Sequence, residues 1–358
     1  MAMSGDVLKS KQHYEILDGL RGVAAFAVVT FHFMEIVISD YSRNFIGHGF
    51  LAVDFFFCLS GFVIAYAYDS RIGSMGLKQF FISRLIRLHP LVVLGTVLGL
   101  IGFLWDPFTP TPAGYGVGKI TLLFLTGILM IPYPVVAERW LNNFNLNAPS
   151  WSLFWEYVAN IVYGLLLWKL PRRVLLVLLC IAAAGLVYVG YTAGNMMGGW
   201  SGGTFWQGGA RISYGFLAGM LVYRYHIIIS NKLGFIGLSV LLLAALMMPH
   251  FKYNWLAETG VVMLYFPLLV ALGAGAGLHS AVQGLCNFLG KLSYPLYMTH
   301  YMVMFVFSGY LLKYKPDNAQ ITWIVIIGLI LLVGFAWLVM VLFDTPVRKY
   351  LTSLRGNS

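Results

Sequence analysis

Apolar residues run in long blocks along this 358-residue chain, and short clusters of glycine, proline, asparagine and charged residues separate the blocks. Most blocks approach the roughly 20 residues that a helix needs to cross a bilayer, and they are too long for strands. The breaks define eleven candidate segments, near residues 17–38, 49–68, 79–105, 119–133, 151–168, 173–192, 210–228, 233–249, 257–277, 285–311 and 321–343. The pattern therefore predicts an all-α fold, a polytopic transmembrane helical bundle.

The lysines and arginines indicate the orientation of the bundle, because basic residues concentrate in cytoplasmic loops. Lys9 and Lys11 precede the first segment, which places the N-terminus in the cytoplasm. If residues 119–133 crossed completely, the basic cluster at 169–173 would lie outside, against this tendency. The stretch is also short for a span. We therefore predict about ten spans with both termini cytoplasmic, and eleven spans remain the alternative.

These boundaries predict one membrane domain with two short ends. Residues 1–16 form a cytoplasmic N-terminal tail, residues 17–343 the transmembrane domain, and residues 344–358 a cytoplasmic C-terminal tail. The apolar run after the polar start contains Arg21 and has no convincing cleavage site for a signal peptidase. We expect the first span to remain as an uncleaved anchor.

Composition excludes several classes of protein. Hydrophobic residues make up 59% of the chain and charged residues 10%, whereas soluble domains carry roughly 45–50% and about 25%. So few charges cannot cover a soluble enzyme, a disordered chain or a nucleic-acid-binding domain. The net charge of +10 is explained by cytoplasmic basic loops without a polyanionic partner. The three cysteines have no spacing typical of a metal site, and we expect neither a metal nor a nucleic acid to bind.

Two ionisable residues share one face of the first predicted helix. Arg21 and His32 are eleven residues apart, which is about 20° past three full turns and about 16 Å along the axis. An ionisable side chain near the centre of a span costs roughly 2.5–3.5 kcal/mol, so each needs a structural or functional reason. A buried pair satisfied by neighbouring helices is one interpretation, and a site with a cation at one end and an imidazole at the other is the second.

Two carboxylates are predicted at the depth of His32. Asp54 in the second segment and Glu156 in the fifth both lie a few residues below the outer end of their helices in the ten-span arrangement. A carboxylate that orients a histidine raises its basicity, as general-base catalysis requires. The sequence therefore predicts a layer of one imidazole and two carboxylates in the outer leaflet.

The two ends of the bundle differ in chemistry. Arg84 and Arg87 form an i, i+3 pair at the cytoplasmic end of the third segment. They are either a positive-inside anchor or, together with Arg21, a clamp for phosphate. The outer loops and helix ends are rich in aromatic residues, which form either an interfacial belt or a platform for sugar rings: Tyr133, Trp140, Trp151, Trp155, Trp200 and Trp206.

Six ordered motifs resemble those of the acyltransferase family 3 membrane proteins. The opening LDGLRG of residues 17–22 is followed by His32, which gives an arginine, ten residues and a histidine. The others are GFLAVDFFFCLSGF, RLIR, WSLFWE, LGKLSYPLYMTH and FDTP, at residues 49–62, 84–87, 151–156, 289–300 and 343–346. The resemblance covers about residues 14–350.

The resemblance implies transfer of an acyl group, most often acetyl, from cytoplasmic acyl-CoA to a hydroxyl of an extracytoplasmic or lipid-linked carbohydrate. It maps the family's arginine and histidine onto Arg21 and His32, and its RxxR element onto Arg84 and Arg87. His32 would be the base or the acyl carrier. Trp151, Tyr297 and His300 are predicted to contact the substrate. The resemblance further implies a surrounding shell of membrane lipid, in a bacterial inner membrane. Because the chain ends soon after its last span, we expect the stand-alone form, without a hydrolase-like domain.

Two other classes remain open. A transporter or flippase for a lipid-linked saccharide also carries intramembrane charges and glycine-rich breaks, although no inverted repeat is visible here. A scaffold without chemistry could use its charges to hold helices together.

Overall fold

The computed structural model describes residues 14–111 and 114–356, and every regular element in these ranges is helical. The α-helices are α1 Glu15–Val37, α2 Ala52–Tyr68, α3 Ile72–Met75, α4 Leu77–Leu104, α5 Val117–Ile128, α6 Ser150–Leu165, α7 Arg172–Ala193, α8 Phe205–Arg224, α9 Gly234–Leu246, α10 Asn254–Gly260, α11 Phe266–Gly275, α12 Ser280–Thr299, α13 Tyr301–Tyr314, α14 Asn318–Val339 and α15 Thr345–Gly356. The predicted all-α fold is confirmed.

Six helical stretches in the described part of the chain are long and apolar enough to cross a membrane, by length and composition. They are Glu15–Val37, Gly49–Tyr68, Leu77–Leu104, Arg172–Ala193, Asn254–Gly275 and Asn318–Arg355. The protein is therefore a membrane protein, and the count of about ten spans stays a prediction. Helix α5 has twelve residues, which rise about 18 Å against the roughly 30 Å hydrocarbon core.

Three predicted segments differ in detail from the helices. The segment at 285–311 is two helices, α12 and α13, which meet at His300 five residues after Pro295. The segment at 257–277 contains a π-helical turn over Val261–Tyr265. The last segment does not stop at residue 343, because a π-helical turn over Met340–Asp344 joins α14 to α15. Residues 1–13, with Lys9 and Lys11 of the predicted N-terminal tail, lie outside the described residues.

Helix α1 is central to the bundle and packs along α12, with α2 and α9 on its other sides. Helices α2 and α8 approach each other closely, and glycine permits the approach. A Cβ at Gly61 would lie 2.0 Å from the carbonyl oxygen of Phe216, and one at Gly219 would lie 1.8 Å from that of Cys58. Small residues let membrane helices pack backbone to backbone in this way. The result is a tight α1–α2–α8–α12 core that fixes the site residues.

Two irregular segments pair over one end of this core. Asn143 donates its backbone N–H to the carbonyl of Trp200 at 2.8 Å, and its side-chain amide donates to the carbonyl of Gly199 at 3.0 Å. Residues 129–149 and 194–204 are thereby held together, and they bring Trp140 and Trp200 over the end of the core.

Candidate active site

Two adjoining cavities lie within the core. The larger has a volume of about 450 Å³ and is lined by His32, Glu35, Trp151 and Tyr301, among others; we call it the histidine cavity. The smaller has about 160 Å³ and is lined by Arg21, Arg84, Arg87 and Glu156, among others; we call it the arginine cavity. His32 and the three arginines Arg21, Arg84 and Arg87 thus line different cavities.

His32 lies in the histidine cavity, and one of its ring nitrogens, Nδ1, contacts a carboxylate. Its Nδ1 is hydrogen-bonded to Glu35 Oε1, one helical turn further along α1, and Tyr41 donates its hydroxyl to Glu35 Oε2 at 3.2 Å. Burial, with the neighbouring Glu35 charge, raises the pKa of Tyr41, so this hydroxyl keeps its proton. Because Nδ1–H points to a carboxylate, His32 presents the lone pair of Nε2, as a general base requires.

His300 packs behind His32. Its ring is fully buried and lies 5.3 Å from the His32 ring, with 23° between the planes. Its Nδ1 donates to the carbonyl oxygens of Leu296 and Tyr297, at 3.2 and 2.8 Å. His300 is not among the lining residues of either cavity. A contact between His300 and the substrate stays a prediction, and in this structure its ring packs against that of His32.

Asp54, predicted to lie at the depth of His32, lines neither cavity and pairs with Arg211. Both of its oxygens are taken by Arg211, at 2.9 Å from Nε and 2.6 Å from Nη2, and both side chains are almost completely buried. Arg211 also donates to the carbonyl of Gly198 and lies 5.1 Å from the Trp151 ring centroid. A bidentate, desolvated pair of this kind fixes α2 against α8. The carboxylate that orients His32 is Glu35.

Glu156, the second carboxylate of the predicted layer, lies in the arginine cavity. Its Oε1 accepts hydrogen bonds from Ser60 at 2.8 Å and from Arg84 at 3.1 Å. The predicted depth says nothing about rotation of the helix, and the face of α6 that carries Glu156 is turned towards α2 and α4. The two carboxylates therefore do not converge on His32, and their shared depth in the membrane stays a prediction.

The three arginines of the arginine cavity differ in their partners. Arg21 is held by Asp18 at 2.9 Å and by hydrogen bonds to Ser293 Oγ and the carbonyl of Gly290. Arg84 pairs with Glu156. Arg87 forms no hydrogen bond or ion pair with any residue in the described ranges, although it lines the cavity. Three guanidinium groups against one lining carboxylate give the cavity a positive charge, which favours an anionic ligand.

Tyr297 joins the two cavities. Among the described residues, Val53 and Tyr297 alone line both. Tyr297 Oη lies 2.7 Å from Ser152 Oγ, which in turn donates to the carbonyl of Pro149 at 3.0 Å. Ser152 and Glu156 are four residues apart on α6, so one face of this helix reaches both the junction and the arginines.

Four residues that contact the predicted site residues, directly or through Glu35, were not predicted to do so from the sequence: Glu35, Tyr41, Ser152 and Arg211. Only Glu35 could have been found, because its spacing of three residues from His32 puts both on one helix face. Trp151, Trp140 and Trp200 line the histidine cavity, as the predicted aromatic platform requires. Within residues 14–111 and 114–356, no group of three His, Cys, Asp or Glu side chains is arranged to hold a metal ion.

Comparisons with known proteins show the family of the chain. The family model described as an acyltransferase domain, of acyltransferase family 3, matches residues 14–341. "Protein 2 in picA locus" of Rhizobium radiobacter is 36% identical over 163 residues, which are 43% of this chain and 82% of that protein.

Two more distant relatives are provisionally named for their activity. One from Staphylococcus aureus (strain COL), named as an O-acetyltransferase, is 35% identical over 89 residues, which are 24% of this chain and 13% of that protein. One from Bacillus subtilis (strain 168), named as a peptidoglycan O-acetyltransferase, is 32% identical over 99 residues, which are 26% of this chain and 15% of that protein. The chain thus matches only a small part of these two. No solved structure matches the chain.

Proposed function

Because the chain belongs to acyltransferase family 3, whose domain spans residues 14–341, we propose that it is a membrane-embedded O-acetyltransferase. It moves an acetyl group from acetyl-CoA, bound from the cytoplasmic side, to a hydroxyl of an extracytoplasmic or lipid-linked carbohydrate. The observation that carries this proposal is the pair of adjoining cavities, one positively charged and the other built around an oriented histidine.

The arginine cavity supports the assignment of the donor. A planar guanidinium matches phosphate oxygens, and hydrogen bonds between charged groups are about twice as strong as neutral ones. Arg87 has no partner within the described chain and lines the cavity, so it is available to a phosphate of coenzyme A. The cavity volume of about 160 Å³ suits the narrow pantetheine arm rather than the whole coenzyme. The phosphates would then lie at its arginine-lined mouth while the arm extends towards Tyr297.

His32 is the proposed base. Nε2 removes the proton of the acceptor hydroxyl, and the oxygen attacks the carbonyl carbon of the thioester. A C–O bond forms, the C–S bond breaks, and the proton passes from Nε2 to the departing thiolate. Glu35 holds the imidazole in the correct tautomer and stabilises the imidazolium that forms between these two steps. The products are an acetyl ester and coenzyme A.

The histidine cavity supports a saccharide acceptor. Tryptophan and tyrosine rings offer flat apolar faces beside polar groups, which is the chemistry of a sugar ring. The cavity contains Trp140, Trp151, Trp200 and Tyr301 around His32. The name of the Bacillus subtilis relative points in the same direction, towards a cell-envelope glycan.

Acetyl transfer is tested with the full chain in lipid nanodiscs, supplied with acetyl-CoA labelled with ¹⁴C in the acetyl group. Cell-envelope glycans from a strain that lacks the gene serve as the acceptor, and mass spectrometry locates the new ester. We expect an increase of one acetyl group on a sugar with wild-type protein and none with His32→Ala. Equal labelling with His32→Ala contradicts the proposed role of the base, and export of unmodified saccharide without labelling favours a flippase.

A further inference from the structure

The junction between the two cavities holds two hydroxyl groups that the proposed function leaves without a role. Tyr297 and Ser152 are both almost completely buried, and both line the arginine cavity. Tyr297 also lines the histidine cavity. Buried hydroxyls between two polar sites can either fill space or interact with a group that passes between them.

The direction of the hydrogen bonds at this junction follows from the backbone. The carbonyl of Pro149 can only accept, so Ser152 donates its single proton to that oxygen at 3.0 Å. Ser152 Oγ is then an acceptor for Tyr297, whose hydroxyl donates to it at 2.7 Å. Tyr297 therefore carries the one proton at the junction that a ligand oxygen could receive without breaking the contact between Ser152 and Pro149.

The position of the thioester follows from the proposed function, on which this inference rests. The donor's phosphates lie with the arginines, and the carbonyl carbon must be within reach of an acceptor activated by His32. The reacting carbon therefore lies where the cavities meet. Val53 and Tyr297 line both cavities among the described residues, and of the two only Tyr297 has a hydrogen-bond donor in its side chain.

We propose that Tyr297 is a catalytic residue whose hydroxyl donates a hydrogen bond to the thioester carbonyl oxygen of the donor, with Ser152 as the residue that positions it. When the acceptor oxygen attacks, the carbonyl π electrons move to that oxygen, and Tyr297 stabilises the negative charge without losing its own proton. The charge returns to the carbonyl as the C–S bond breaks. Ser152 holds the hydroxyl in the empty site, so little rearrangement is needed when the carbonyl oxygen arrives.

The surroundings of the ring make a conservative test available. The Tyr297 ring lies 5.8 Å from the Phe56 ring and 5.9 Å from the His300 ring, between centroids. Tyr297→Phe keeps these contacts and removes only the hydroxyl. Tyr214→Phe is the matched control, because the Tyr214 hydroxyl is also buried and donates to a backbone carbonyl, that of Met263 at 2.8 Å, away from both cavities.

Steady-state kinetics separate catalysis from binding. Removal of one donor to a developing oxyanion costs about 10²–10³ in rate, so Tyr297→Phe should lower kcat by that factor with the KM for acetyl-CoA within threefold. Tyr214→Phe should stay within threefold in both constants. Unchanged kcat in Tyr297→Phe, a change confined to KM, or an equal loss in Tyr214→Phe would each overturn the assignment.

Infrared spectroscopy tests the contact without an acceptor. Acetyl-CoA labelled with ¹³C at the carbonyl is bound to His32→Ala protein, which holds the thioester intact, and to the His32→Ala, Tyr297→Phe double variant. We expect the carbonyl band to lie at lower wavenumber in the first than in the second. The same band position in both, with acetyl-CoA bound to each, overturns the role of Tyr297 and leaves the proposed function in place. Failure of wild-type protein to bind acetyl-CoA contradicts the proposed donor, and with it both proposals.

Discussion

His32 and Glu35 are joined through Nδ1 and Oε1 across a single turn of α1, so the proposed base and the carboxylate that orients it belong to one rigid element. Tyr41, from the segment after α1, donates to the second oxygen of the same carboxylate. The imidazole is thereby fixed at one nitrogen and open at the other, facing a cavity with three tryptophans. Histidine, carboxylate and tyrosine form a short chain that sets the tautomer before any substrate arrives.

Replacement of the proposed base should abolish measurable transfer. His32→Ala removes the group proposed to take the acceptor proton, and loss of a general base costs about 10²–10⁴ in rate. We expect the KM for acetyl-CoA to stay within threefold, because the arginines are unchanged. His279→Ala is the control, since His279 caps the start of α12 away from both cavities. Activity of His32→Ala within twofold of wild type would remove His32 from the mechanism.

Glu35→Gln should reduce kcat about tenfold to a hundredfold while the protein folds normally. The amide can still contact the imidazole but cannot stabilise the imidazolium that forms when His32 takes a proton. The comparison is with Glu138→Gln, an exposed carboxylate that also accepts a hydrogen bond from a tyrosine, Tyr115. If both variants keep wild-type kcat, Glu35 has only a packing role.

The difference between Arg84 and Arg87 predicts two different phenotypes. Arg87 has no partner among the described residues, so Arg87→Gln should raise the KM for acetyl-CoA at least tenfold, as expected for loss of a charge-assisted hydrogen bond of about 1.5–3 kcal/mol. The melting temperature should not fall. Isothermal titration with coenzyme A and thermal unfolding in detergent measure the two effects.

Arg84→Gln should behave differently because it leaves Glu156 without its cation. We expect a loss of about 1–3 kcal/mol of stability, partly restored when Glu156→Gln is added. A drop in stability for Arg87→Gln and none for Arg84→Gln would contradict this division of roles. If Arg84→Gln and Arg87→Gln both keep the wild-type affinity for acetyl-CoA, the RLIR motif is only a positive-inside anchor.

Asp54 is predicted to be structural. Loss of one partner from a buried pair leaves an uncompensated charge and costs about 3–5 kcal/mol, so Asp54→Asn should strongly lower the melting temperature. Asp54→Asn combined with Arg211→Met should recover much of it, because no unpaired charge then remains. A normally stable Asp54→Asn protein that has lost transfer would instead give Asp54 the catalytic role that the sequence predicted.

The sequence predicted features that depend on neighbours within one helix. The helices follow from apolar runs, and the common face of Arg21 and His32 follows from helical geometry. Contacts between helices could not be predicted from apolar runs or from the geometry of a single helix. Asp54 and Arg211 are 157 residues apart, and Glu156 is 72 residues from Arg84. Their pairing depends on how each helix is rotated about its axis, which depth below a membrane surface does not determine. The break at His300 was missed because the apolar pattern continues through it.

The sidedness of donor and acceptor tests the largest step in the proposed function. The arginine cavity contains Arg21 and the histidine cavity contains His32, about 16 Å further along α1 by helical rise. The charged coenzyme cannot cross lipid, because each buried charge costs several kcal/mol, so only the pantetheine arm would extend from the first cavity to the second. In sealed vesicles of defined orientation, acetyl-CoA should support transfer only from the cytoplasmic face, with the acetylated sugar formed at the opposite face.

A Ser201→Cys variant determines the orientation independently, because Ser201 follows Trp200 in a loop that is predicted to face outward. Its thiol should react with an impermeant maleimide in intact cells after Cys180, the exposed native cysteine, is replaced by serine. Labelling only after lysis would reverse the orientation, and a requirement for donor and acceptor on the same face would exclude transfer through the two cavities.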